Sequence, residues 1–271
     1  WDDRVLKAVE IIVKENLAYP YLIGDGPTIH KRAAELGVSL NGVEIRDPLY
    51  DVNFEKYTQE FLNIRKGKGL TLEKAKEIMK DTTYFATMMV KMGDAEGLVG
   101  GSMSPTADTV RPALQIIKTH EKFHKVSSVF LMMLDNKLLL FADCAVEIDP
   151  DSKDLAEIAM DTVATAKKFG IEPRVAMLSF STNGSAKHPL VDKVKEATER
   201  VKYFAPGIVV EGEMQVDAAI VPAICKHKFP GSKLVGDANV LIFPNLDSAN
   251  IAYKLVERLA KANAVGPILQ G

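Results

Sequence analysis

Short apolar runs of strand type alternate with helix-period segments along almost the whole chain, and most joints between them are short and carry glycine. Arg4 to Leu17 sets Val5, Leu6, Val9, Ile12 and Val13 at helical spacing, and Pro20–Gly24 then reads as a short buried strand. The same reading predicts helices over 27–36, 52–66, 71–80, 82–92 and 106–118, with strands at 43–45 and 97–100. Gly37 suits the end of the first of these, and Thr71-Leu-Glu-Lys74 opens another with an acid in its first turn. Ser127–Met133 and Lys137–Phe141 are consecutive apolar runs joined at Leu134-Asp-Asn136, a hairpin signal. Alternation resumes with helices at 152–169, 187–204 and 247–263 and strands at 174–179, 208–211 and 239–243. Such a pattern favours parallel sheets with helices on both faces. The hairpin interrupts it and marks where a second sheet begins. The expected class is α/β: two packed α/β domains with mainly parallel sheets.

Charge and composition narrow the function. The 271 residues hold 34 Lys and Arg against 36 Asp and Glu, a net charge of −2. No arm or stripe is basic enough to make nucleic acid the expected partner. No apolar run reaches membrane-spanning length, so no membrane partner is expected. Cys144 and Cys225 stand far apart with no metal-ligand spacing and no signal peptide precedes them, which fits reduced thiols in a cytoplasmic protein. The chain opens at Trp1 inside a helical pattern and stops at Gly271 after a strand-like run, and so reads as a piece of a longer protein, incomplete at both ends.

Two segments have the strand–turn–helix context in which α/β sheets bind anions beside helix N-termini. In Gly97-Leu-Val-Gly-Gly-Ser-Met-Ser-Pro-Thr-Ala-Asp-Thr-Val-Arg111, glycines admit close approach to backbone N–H groups. Ser102, Ser104 and Thr106 add hydroxyls there, and Arg111 adds a planar cation. The same residues also suit an ordinary turn, with Ser104 or Thr106 as the helix cap and Arg111 solvated. In Val175–Ser185, a strand runs into Ser181, Thr182, Asn183, Gly184 and Ser185, with Lys187 beyond. That segment is neither a Walker loop nor a dinucleotide fingerprint, and a hydroxyl-rich helix cap is its plainer reading. Two such cradles in successive domains suggest a shared interdomain cleft. Arg65, at a helix end before Lys66-Gly-Lys-Gly69, suits either a phosphate contact or a solvated helix end. His120 and His124 have no third ligand nearby and read as a solvated loop, Cys144 reads as a small buried residue, and Ser179 lies in no G-x-S-x-G elbow. No metal site is expected.

Longer stretches carry a resemblance. Tyr84–Gly100, Thr106–Thr119, Arg174–Pro189, Glu211–Pro222, Ala238–Pro244 and Gly266–Gly271 closely resemble the phosphotransacetylases of the phosphate acetyl/butyryl transferase family, and together they cover essentially the whole chain. The resemblance implies two α/β domains of isocitrate/isopropylmalate dehydrogenase type, the first holding residues 1–124 with 265–271 and the second 125–264, and a homodimer. It implies reversible acetyl transfer between coenzyme A and inorganic phosphate, with CoA as substrate and no tightly bound cofactor. It assigns Arg65 and Arg111 to substrate or CoA phosphate, and Ser104, Thr106 and 181–185 to the lining. Family members continue past Gly-Pro-Ile-Leu-Gln-Gly into Asn-Asp-Leu-Ser-Arg-Gly and a following aspartate, which supply serine, arginine and general base. This chain ends before them, so its catalytic residues stay unassigned, and a chain lacking them is expected to be nearly inactive. An acetyl-CoA-sensing domain of a hybrid malic enzyme and a phosphate butyryltransferase are the alternatives. A dehydrogenase is disfavoured for want of a nicotinamide fingerprint.

Overall fold

A computed structural model describes residues 2–119 and 125–271, and the chain divides into two units, 1–118 and 119–271. His120 and His124 lie outside the described residues.

In the first unit, α1 (Asp3–Lys14), β1 (Tyr21–Ile23), α2 (Gly26–Leu36) and β2 (Glu44–Arg46) form a small α/β layer with two parallel strands. Local chemistry sets the helix ends. Asp2 and Asp25 accept N-terminal N–H groups of α1 and α2, and Gly37 takes the left-handed conformation (φ 67°) that closes α2. Leu6, Val9, Leu22 and Ile29 form the core of this layer. The rest is helical: α3 (Phe54–Ile64), α4 (Leu72–Met79), α5 (Thr82–Met92) and α6 (Thr106–Ile116). Their core joins Tyr57, Phe61, Met79, Phe85, Met88 and Ile116.

The strand expected at 97–100 does not form. Leu98 and Val99 are exposed, and no described strand pairs with them. An apolar tetrapeptide becomes a strand only where a neighbour completes its hydrogen-bond ladder, and β1 and β2 pair with each other elsewhere.

The second unit is built on six strands in the order β6-β5-β7-β4-β3-β8. They are β3 (Ser127–Leu134), β4 (Lys137–Ala142), β5 (Arg174–Leu178), β6 (Val209–Met214), β7 (Val240–Ile242) and β8 (Asn263–Gln270). Pairings β6–β5, β5–β7 and β7–β4 are parallel, whereas β3 runs antiparallel to both β4 and β8. The hairpin is tight, with Leu134 facing Lys137. Alternation along the strands feeds two cores. Val175, Met177, Val240, Ile242, Leu140 and Ala142 face one side, under α7 (Ser152–Lys168) and α8 (Pro189–Phe204). Ala176, Leu178, Leu241, Phe243, Leu139 and Phe141 face the other, with Ala218, Ala219, Cys225 and Ala249 from α9 (Val216–Ile220), α10 (Pro222–Lys228) and α11 (Leu246–Leu259). Residues on the two faces of a strand differ by one position, so this is the period-two pattern of a sheet buried on both sides.

Segment 265–271, expected with the first domain, lies along β3 in the second unit. Two forces hold it there. Backbone pairing covers the free edge of β3, and the buried Gln270 amide bridges the sheet to α7. Its Oε1 accepts from Thr165 Oγ1 at 2.9 Å, and its Nε2 donates to Thr162 Oγ1 at 2.8 Å and Ser127 Oγ at 3.1 Å. Between Val129 and Leu131 the register shifts, so that Gly266 and Pro267 together oppose Phe130. A bulge tolerates the proline that a regular ladder would reject. The helix expected over 247–263 therefore ends at Leu259, and the chain turns into β8.

One glycine of this unit is under a hard steric constraint. Gly236 has φ 81°, and a Cβ there would meet Pro222 N at 2.4 Å and Val221 C at 2.5 Å, both backbone atoms. Gly236→Ala is expected to lower the unfolding free energy by about 3 kcal/mol, from left-handed strain plus overpacking against rigid backbone. Urea melts would read it. An unchanged midpoint would mean that the 230–238 segment relaxes freely.

Candidate active site

In the first unit, two of the candidate cations and the glycine-rich turn lie on or next to α3 and α6, which both pack beside α5. Arg65 caps α3 and is half-buried, Arg111 lies on α6, and Tyr84 lies on α5. The Tyr84 phenol donates to Gln115 Oε1 at 3.2 Å, and its ring meets Phe61 edge-on at 5.6 Å. Burial raises the Tyr84 pKa, and the fields of Arg111 and Arg65 both pull it back down. Two arginines 46 positions apart thus act on one phenol, since α3 and α6 both pack beside α5. Arg111 also pairs with Asp108 at 3.0 Å, on the surface. Such an exposed pair contributes little to stability, so it leaves the guanidinium available to a stronger anion.

The turn before α6 is exposed, Ser104 and Thr106 included. Neither hydroxyl caps the helix: Pro105 occupies the N-cap and no side chain bonds the first N–H groups. The plainer reading of this segment required such a cap. What remains is an exposed helix start with uncapped N–H groups, a concentration of positive potential. Arg4 Nη2 donates to Ser102 O at 3.2 Å, and a Cβ on Gly101 would strike Thr109 Oγ1 at 2.8 Å, so the turn lies close against α6.

The second candidate segment is organised differently. Ser181 and Thr182 are buried, whereas Asn183, Gly184, Ser185 and Lys187 are exposed. Every backbone N–H from Ser181 to Ala186 has a partner within the unit. Ser181 N donates to Ser179 Oγ, Thr182 N to Ser185 Oγ, Ser185 N to Thr182 O and Ala186 N to Ser181 Oγ. Asn183 N donates to Glu213 O at 3.2 Å, and Gly184 N to Glu213 Oε1 at 2.9 Å. The same Oε1 accepts from Ser181 Oγ at 2.7 Å, and Lys195 Nζ stands 3.8 Å from Oε2. The turn is therefore wound around a carboxylate of its own chain, that of Glu213, which is 1% exposed. Any contact to a ligand from this segment falls to the side chains of Asn183, Ser185 and Lys187.

Glu213 escaped the sequence reading. Its signal was an acidic residue inside the apolar run Val209-Val-Glu-Gly-Glu-Met214, where the inward side of a doubly covered strand should be hydrocarbon. Asp143 plays a like part at the end of β4. It is buried, accepts from Ser128 Oγ, and binds the N–H groups of Ala145, Val146 and Glu147 at 2.8–3.1 Å. Cys144 beside it is buried, and burial pushes its thiol up, away from the thiolate a nucleophile needs. Cys225 is buried too, its Sγ 3.0 Å from Leu234 O. Among the described residues, no helix is long and apolar enough to cross a membrane.

Known proteins supply the context for this geometry. Over its whole length the chain is 52% identical to a phosphate acetyltransferase of Thermoanaerobacterium thermosaccharolyticum, covering 84% of that protein. It is 50% identical to a phosphate acetyltransferase of Bacillus subtilis, covering 83%. A phosphotransacetylase from Streptococcus pyogenes superposes with a TM-score of 0.91 at 46% identity, over 100% of this chain and 82% of that one. Residues 1–271 match the family described as phosphate acetyl/butaryl transferase, and the chain belongs to it.

Proposed function

We propose that the protein is a phosphate acetyltransferase, moving an acetyl group reversibly between coenzyme A and inorganic phosphate. The observation that carries this reading is the match to the transferase family from end to end, in a chain where the fields of Arg65 and Arg111 both act on Tyr84. In the direction of thioester synthesis, the CoA thiolate attacks the carbonyl carbon of acetyl phosphate. A C–S bond forms, the C–O bond to phosphorus breaks, and phosphate leaves with the electron pair. The protein has to align two anionic substrates in one ternary complex and offset their charge. Planar guanidinium groups suit phosphate oxygens, and an uncapped helix start adds N–H donors. In this reading Arg65, Arg111, Ser104 and Thr106 hold substrate or CoA phosphate, and Asn183, Ser185 and Lys187 supply further polar contacts. CoA is a substrate, no bound cofactor takes part, and the protein works as a cytoplasmic homodimer.

The test is acetyl-phosphate-dependent thioester formation on CoA by the intact gene product, without NAD or added cofactor. Turnover is expected. Acetyl-CoA binding without turnover would overturn the enzyme reading in favour of a sensing domain. Arg111→Ala should raise KM for CoA by about 10- to 100-fold, the loss of one charge-assisted hydrogen bond, while kcat changes less. An unchanged KM for both CoA and acetyl phosphate would remove Arg111 from the site.

A further inference from the structure

β5 and β6 run parallel and side by side, with Leu178 opposite Met214. The 181–186 turn therefore leaves the carboxyl end of β5 beside Glu213, at the end of the sheet where open α/β folds bind their ligands. Ser185 N donates back to Thr182 O at 3.0 Å, which makes the tip of the segment a tight turn.

A hydroxyl has one hydrogen to give and two lone pairs to fill. The Ser181 and Ser185 oxygens lie 3.2 Å apart, and on that distance alone either could donate to the other. Glu213 decides between them. Its Oε1 accepts from Gly184 N at 2.9 Å and takes the Ser181 hydrogen at 2.7 Å. Ser181 has no second hydrogen, so it accepts from Ser185, and Ala186 N at 3.1 Å fills its other lone pair. The Ser185 hydrogen thus points inward. Its oxygen accepts from Thr182 N at 3.0 Å and keeps one lone pair, on a residue exposed to solvent. The backbone N–H groups of the turn are engaged as well, so neither they nor Ser185 have a hydrogen to offer an anion.

We propose that Glu213 is a positioning residue that sets the hydrogen-bond polarity of this turn: acting through Ser181, it holds the Ser185 hydrogen inward, so that Ser185 offers the substrate an acceptor only. The proposal rests on the acetyl-transfer reading and deepens it. An acceptor oxygen repels phosphate and suits an uncharged N–H. CoA carries such groups in the amides of its pantetheine arm and in the amine of its adenine. The hydroxyls after β5 then recognise an uncharged part of CoA and leave its phosphates to cationic side chains.

The test is calorimetric titration of CoA and of inorganic phosphate, each alone so that no transfer occurs, together with an acetyl transfer assay on the unsubstituted protein. Ser185→Ala should weaken CoA about fivefold, the loss of one ordinary hydrogen bond, and leave phosphate unchanged. Glu213→Ala lets Ser181 donate to Ser185 instead, and should weaken CoA by a similar factor. Combined with Ser185→Ala it should add less than about twofold, because both substitutions remove the same contact. Glu213→Gln keeps the accepting oxygen and should hold CoA affinity within about twofold of the unsubstituted protein. A Glu213 that merely supported the fold would disturb Asn183 and Lys187 too, and its loss would multiply with that of Ser185. That result would sink the proposal, as would a loss of phosphate affinity with CoA unchanged, or no effect on either ligand. Pantetheine and adenosine, which carry no phosphate, serve as competitors of CoA. The one that Ser185→Ala weakens supplies the N–H, and a loss with neither would place Ser185 on a CoA phosphate and refute its acceptor role. If CoA affinity follows the variants but the unsubstituted protein transfers no acetyl group, the polarity stands and the transferase reading fails. If transfer occurs and CoA affinity ignores the variants, the transferase reading stands and Ser185 makes no contact to CoA.

Discussion

Replacing Glu213 by alanine should lower the unfolding free energy by about 3 kcal/mol, and replacing it by glutamine by about 1 kcal/mol. The carboxylate is the hub of the 181–186 turn. One oxygen accepts from both Ser181 Oγ and Gly184 N, and the other faces Lys195. Alanine takes away the close acceptor of the buried Ser181 hydroxyl, leaving it only Ser185 Oγ at 3.2 Å, removes the partner of Gly184 N and opens a hole beside β6. An unmet buried donor costs more than the bond itself contributes, which puts the expected loss well above that of an ordinary hydrogen bond. Glutamine keeps the accepting oxygen and forfeits only the attraction to Lys195, a partly exposed partner. Urea denaturation of the two variants separates these costs. Equal losses would mean that the charge, not the acceptor, organises the turn.

Asp161→Asn should stabilise the protein above neutral pH and do progressively less below it. Asp161 lies within α7 and is 4% exposed, and its Oδ1 has no hydrogen-bond partner. Burial, with a smaller push from Glu157, raises its pKa from 3.8 to about 7. The folded state therefore holds this proton more tightly than the unfolded chain does. Below pH ~4 both states are protonated and the group is neutral to stability. Between pH ~4 and ~7 the unfolded state alone ionises, so stability is lost as pH rises, and above ~7 the loss levels off at about 4 kcal/mol, at 1.36 kcal/mol for each tenfold in proton affinity. Asparagine removes that ionisation. The variant's advantage in urea melts should be about 2–3 kcal/mol larger at pH 8 than at pH 5. The same advantage at both pH values would show that Asp161 does not titrate in this range.

The alternation of elements was legible because both faces of the second sheet are covered, which makes β4, β5 and β7 continuous apolar runs, and because Asp and Gly punctuate the helices. The tetrapeptide at 97–100 misled, since apolarity identifies a segment that can join a sheet and says nothing about whether an edge is free to receive it. Arg65 and Arg111 were visible as cations near glycine-rich turns, but that the fields of both reach Tyr84 depends on how three helices pack, which no local pattern encodes. Glu213 and Asp161 were hidden for a related reason. In a string of letters, an acid on a strand or helix reads as the solvent face, and only tertiary burial reveals that each points inward. The placement of 265–271 was also a tertiary matter, decided by the open edge of β3 and the reach of one glutamine amide.

The strand order has a consequence for synthesis. β7 lies between β4 and β5 although it is made after both, so the middle of the sheet is empty until residue 242 has left the ribosome. At about 5–20 residues per second, the interval between the end of β4 and β7 lasts roughly 5–20 s. Through that time the inner edges of β4 and β5 have no native neighbour, and both are apolar on each face. Unpaired edges of this kind invite pairing with other nascent chains. Closing the sheet also means joining segments about a hundred residues apart, a slow step. Production of this protein should therefore be limited less by the stability of the finished molecule than by the company the half-made sheet keeps, with cool, slow expression and early chaperone engagement favouring recovery.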